Sequence, residues 1–129
     1  MTDTRLAPAV VGLRIYVIHA FRGTGRPGER EANKARISAI CKTLLALGAL
    51  PISPVHMLDG LFDDTDPVQR EQALRCCESA MDLADVAWAF GETSSEGCTR
   101  EIVQAQRLRK PLRFVNQTEP WWPREDVCR

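Results

Sequence analysis

The sequence predicts a Rossmann-like α/β sandwich, a parallel sheet of four to five strands with helices on both faces. Two observations predict it. Runs rich in β-branched and aromatic residues alternate with segments whose apolar residues recur every three or four positions. The chain, at 129 residues, also has the size of one domain and can bury roughly two thirds of its unfolded surface without cross-links. A single domain over 1–129 is therefore expected, with its core at about 12–115 and a tail from 116 that has no usable period.

The first strand is Leu13 to His19 (LRIYVIH), bounded by Gly12 and the FRGTGRPG segment. From Glu29 the period changes: Ile37, Ile40, Cys41, Leu44, Leu45 and Leu47 fall on one helical face, and Gly48 supplies a stop. A second strand, Ala49 to Ser53, runs into SPVHMLDGLFDDTD, whose Gly, Pro and Asp content predicts a loop, long enough to suggest function. Asp66-Pro67 reads as N-cap and first helical residue, with Gln69 placed as in a capping box. The helix that follows carries an apolar stripe of Leu74, Cys77, Met81 and Ala84 and ends before the strand VAWAF. GETSSEG then feeds a third helix, from about Gly97 to Leu108, and Lys110-Pro111 opens the last strand, LRFV.

Seventeen basic residues balance seventeen acidic ones, so nucleic acid and membrane surfaces are not expected as partners. No stretch approaches the roughly eighteen apolar residues of a membrane span, and MTDTRLAPAVVG lacks a basic region followed by an apolar one, so a cytoplasmic location is expected. Cys41, Cys76, Cys77, Cys98 and Cys128 form no paired framework and are read as reduced thiols. Trp121 and Trp122 read as a partner-facing patch or as a cover over the core.

Ligands of such sheets bind beyond the carboxyl ends of the strands, which singles out residues 20–28, 54–66 and 91–97. In the last of these, Ser95 and Gly97 stand at a helix start, where free N–H groups and the dipole can hold an anion, with Glu101 just over a turn further in. A plain helix cap at Ser94 or Ser95, with Glu101 in solvent, fits the same spacing. After the first strand, His19, Phe21, Arg22 and Gly23 form a basic, glycine-containing loop, where Arg22 suits a phosphate and a solvated basic loop fits equally well. The loop is not a GxGxxG fingerprint, so no dinucleotide cofactor is implied. His19 and His56 each lie next to a strand end and are candidates to touch substrate, a histidine hydrogen-bonded within a loop fitting His56 equally well, and no ligand spacing supports a metal. Asp59, Asp63 and Asp64 are expected in solvent.

Taken together, IYVIHAFRG, LGALPISPVH, ADVAWAFG and SSEGCTREIVQAQRLRKPLRFV resemble the nucleoside 2-deoxyribosyltransferase-like superfamily, nearest to small bacterial and phage domains of the DUF4406 and DUF7768 type. The most specific part is Ser95, Gly97 and Glu101 followed by Lys110-Pro111. The resemblance implies a nucleoside or nucleotide as ligand, without a cofactor, and an N-glycosidase or N-(deoxy)ribosyltransferase activity. Glu101 would attack C1′ of the sugar, Ser95 and Gly97 would contact its 5′ end, Tyr16 would match the family tyrosine, and Arg22-Gly23 would face a phosphate. It also implies a homo-oligomer, since relatives complete their pockets with a neighbouring subunit. Two positions depart from the pattern: Cys77 stands where the monophosphate glycosidases have an aspartate, and Ala20 where they have a phosphate-binding serine. A non-catalytic nucleotide-binding or signal-binding domain is the alternative.

Overall fold

A computed structural model describes residues 10–22 and 25–115. The elements are β1 (Arg14–Ile18), α1 (Glu29–Ala46), β2 (Leu50–Ile52), α2 (Pro54–Leu58), α3 (Pro67–Leu83), β3 (Val86–Phe90), α4 (Glu96–Arg107) and β4 (Leu112–Val115). The four strands make one parallel sheet in the order β2-β1-β3-β4. This is the predicted α/β class.

Strand periodicity explains the layers, because successive side chains point to opposite faces. Ile15, Val17, Trp88 and Phe90 point to one face, where Ile37, Ile40 and Leu44 of α1 cover them. Tyr16, Ile18, Ala87 and Ala89 point to the other, against Ala80 and Met81 of α3 and Cys98 and Ala105 of α4. The small residues of β3 and of both helices let the backbones approach on that side. Leu45 departs from expectation: it is 58% exposed, one position off the α1 stripe.

Caps set the helix starts. The Asp66 side chain accepts from the Val68 N–H, and Pro67 follows at a position where a missing donor costs nothing. The capping box, however, does not close as predicted. Gln69 instead accepts from the Asp63 N–H and donates to the Asp66 carboxylate. The segment read as an irregular loop also contains the one-turn helix α2, begun by Ser53 as N-cap and Pro54. Gly48, at φ 87°, ends the α1 turn in the left-handed conformation. Among the described residues no helix is long and apolar enough to cross a membrane. Trp121, Trp122 and Cys128 lie outside the described residues, and the four cysteines within them are free thiols.

Candidate active site

A cleft of about 680 Å³ opens where the strand order reverses, between the carboxyl ends of β1 and β3. That volume falls in the range of about 300–1,000 Å³ typical of small-molecule sites. Its floor is Tyr16, Val17 and Met81; its walls come from the β1–α1 loop, the α2–α3 segment, α3 and the start of α4.

Tyr16 belongs to the face of β1 turned toward α3 and α4, is fully buried, and its hydroxyl donates to the Glu101 carboxylate. Glu101 lies on the second turn of α4, half-buried, on the side of the helix that lines the cleft. Burial raises its pKa to about 7, and the Tyr16 hydrogen bond opposes part of that rise by favouring the charged form. Near neutral pH the carboxylate is therefore poised between acid and base forms. Tyr16 is itself held neutral, pushed well above its ordinary value first by burial and then by the charge of Glu101. Cys77, from α3, completes the group: burial pushes its thiol up to about 11, Glu101 adds to the rise, and a hydrogen bond with Tyr16 offsets some of it. The three side chains form a carboxylate with a phenol donor and a protonated thiol.

Ser95 does serve as the N-cap of α4, its Oγ accepting from the Cys98 N–H at 3.2 Å, and it also lines the cleft. Ser95 is thus both a helix cap and a residue of the cleft lining. A Cβ placed on Gly97 would meet nothing within 4 Å, so the helix start borders open space. On the other side, buried Asn33 donates to the Phe21 carbonyl at 2.9 Å and accepts from Arg36, which fixes the β1–α1 loop. His19 lines the cleft with its Nδ1 on the Ala20 carbonyl, and burial lowers its pKa.

Most residues predicted for the site converge on this cleft: Tyr16, His19, Phe21, Arg22, Cys77, Ser95, Gly97 and Glu101 all line it. His56 does not. Its ring is clamped between Ser38 on α1 and the lining residue Ser53 ahead of α2, at 2.7 and 2.8 Å, and does not itself line the cleft. Gly23 lies outside the described residues. The acidic segment is the larger correction for two of its carboxylates, which are ion-paired rather than merely solvated, whereas Asp63 is exposed as expected. Asp59 meets Lys34, and Asp64 accepts from Arg30 at 3.1 Å and faces Arg22 at 3.6 Å. Arg30 in turn lies 4.8 Å over the Phe21 ring. Sequence reading missed Arg30, Phe62, Arg70 and Arg100 as lining residues. The length of the 54–66 segment was the available signal, and it pointed to the place without pointing to the partners.

Comparison with protein families matches residues 13–115 to a domain of unknown function, DUF7768. Curated proteins give no match. Among solved structures, a 2-deoxyribosyltransferase from the psychrotolerant bacterium Bacillus psychrosaccharolyticus, described as a biocatalyst for nucleoside synthesis, is similar. It aligns with a TM-score of 0.63 at 17% identity, over 80% of this chain and 72% of that one. The likeness shows a 2-deoxyribosyltransferase-like fold.

Proposed function

The chain belongs to the DUF7768 family, and from that premise and the cleft's chemistry we propose that it cleaves or transfers the N-glycosidic bond of a nucleoside or nucleoside 5′-monophosphate. The observation that carries the reading is the Tyr16 hydroxyl donating to Glu101 inside a cleft of small-molecule size at the strand switch point. Such a donor holds one carboxylate oxygen and leaves the other to react.

Glu101 acts in its ionised form. Its free oxygen attacks C1′ as the C1′–N bond breaks, and the bonding pair leaves with the base. A glycosyl ester forms. Water then attacks C1′, releasing the sugar and restoring the carboxylate; a second base in place of water makes the reaction a transfer. The departing base takes its proton from water in the open cleft, because a thiol pushed up to about 11 is a weak acid for this task. Ser95 and Gly97 border the sugar's 5′ end, and Phe21 and Phe62 supply apolar walls. Cytoplasmic residence and assembly into a homo-oligomer belong to the same reading, by resemblance.

Cys77 also favours a second reading, a non-catalytic binder of the same ligands, since no strong acid stands beside Glu101 to help the base leave. Incubation with a panel of nucleosides and nucleotides, followed by chromatography for free base, separates the two. Base release that disappears in Glu101→Gln supports the enzyme. Binding without release, equal in both proteins, supports the binder.

A further inference from the structure

The charge around the cleft is mixed rather than predominantly basic. Four arginines and six carboxylates line it, with no lysine, so ionised Glu101 leaves an excess of negative charge. Three of the four arginines are also committed to carboxylates, Arg70 being the exception. Arg100 pairs with Glu78 at 3.3 Å, and Arg22 and Arg30 both turn to Asp64, whose side chain is only 19% exposed. Arg30 is fixed further by its seat over Phe21. Arg22 is the looser partner, half-exposed and 3.6 Å from the shared carboxylate oxygen.

Resting on the glycosidic reading above, we propose that Asp64 is a specificity-determining residue that turns the cleft toward the uncharged nucleoside and against its 5′-monophosphate. A phosphate monoester carries about −1.5 to −2 charges at neutral pH. To bind Arg22 it has to approach a guanidinium that already faces Asp64, and it then stands beside a carboxylate screened little by solvent. Displacing Asp64 does not help, because the displaced carboxylate loses two cationic partners at once. A 5′-hydroxyl meets none of this cost. It needs only a neutral donor and acceptor, such as the rim of Ser95 and the α4 N-terminus provides. The second observation, the surplus of carboxylates over the whole lining, acts in the same direction.

The test compares one deoxynucleoside with its 5′-monophosphate, by base release and by calorimetric binding, in wild type and Asp64→Asn. Wild type is expected to favour the nucleoside by about tenfold or more, and Asp64→Asn to shrink that ratio by about tenfold, the larger change falling on the monophosphate. Raising salt from about 0.05 to 0.5 M should also shrink the wild-type ratio, which keeps the test open if the variant fails to fold. A wild type that favours the monophosphate, or a ratio unmoved by the substitution and by salt, overturns the proposal. A nucleoside preference seen in binding without base release sustains it while overturning the enzyme reading. Failure to bind or cleave either ligand overturns both.

Discussion

Tyr16 on β1 and Glu101 on α4, 85 residues apart in sequence, meet as hydrogen-bond donor and acceptor at the base of the cleft. Parallel strands make the meeting possible. The alternation along β1 sends Tyr16 to the side where α3 and α4 pack, and the α4 start, fixed by Ser95, sets the turn on which Glu101 falls. A buried phenol needs an acceptor, and the half-buried carboxylate facing it provides one, so each satisfies the other. The same contact that satisfies the fold orients the proposed nucleophile.

Replacing Glu101 with Gln should abolish base release, by at least about 10³-fold, while the protein stays folded. The stability effect has a definite sign. Burial raises the folded pKa from 4.5 to about 7, so the native state favours the neutral acid. That contribution is fully present below about pH 4.5 and is lost as pH rises through about 7. The amide cannot ionise, so the variant should match wild type near pH 4.5 and exceed it at pH 8 by about 3 kcal/mol. Urea melts at the two pH values check this; equal curves at both would show that Glu101 is not held in a desolvated site.

A carboxylate that must be ionised to attack gives a rate that climbs with pH. Base release should be low at pH 6 and level off above about pH 8, with its midpoint near the Glu101 value of about 7. Tyr16→Phe removes the bond that favours the charged form, so its midpoint should move to higher pH, by about one unit. A kcat profile measured across that range reads both. A Phe variant that loses rate with an unmoved midpoint would assign Tyr16 to packing alone.

The layers were legible because they depend on local periodicity: LRIYVIH and VAWAF read as strands, and Ile37, Ile40 and Leu44 read as a buried face. The helix-start residues Ser95 and Gly97 were legible as cleft lining for the same local reason. What sequence did not disclose was pairing at a distance. Asp64 looks like one of several solvated acids until the fold brings Arg30, 34 positions away, to its carboxylate. His56 stands after a strand end in sequence, yet the unforeseen turn of α2 rotates its ring onto two serines. Composition marks such a segment as loop; only the partner groups decide where it points.

Asn33 joins stability to binding through the loop it holds. It is 6% exposed, and its amide donates to the carbonyl of Phe21, one residue before Arg22. Asn33→Ala leaves that carbonyl without its donor and empties a polar pocket, which should cost about 1–3 kcal/mol. Because the loop carries Phe21 and Arg22 into the cleft, KM should rise by several-fold with kcat less affected. Denaturant melts and steady-state kinetics on one preparation measure both effects; a stability loss with unchanged KM would mean the loop keeps its position without the amide.

Cys77 is where the chemistry of leaving-group departure can be read most directly. Its thiol faces the Tyr16–Glu101 pair and is pushed up to about 11, so at neutral pH it is protonated yet reluctant to give the proton up. A base that leaves only when protonated is then cleaved slowly, whereas a base already cationic, such as a 7-methylpurine, needs no help. Wild type should therefore favour a 7-methylguanine nucleoside over the guanine parent by about 10²-fold or more, a contribution of general-acid size. Cys77→Asp places an acid with a lower pKa in the same position, where burial and the nearby Glu101 charge raise it toward the working range. That variant should cleave the parent nucleoside at least about tenfold faster and the 7-methyl compound at nearly the wild-type rate. A uniform change on both substrates would trace the effect to geometry. No gain on the parent would show that proton delivery does not limit the step.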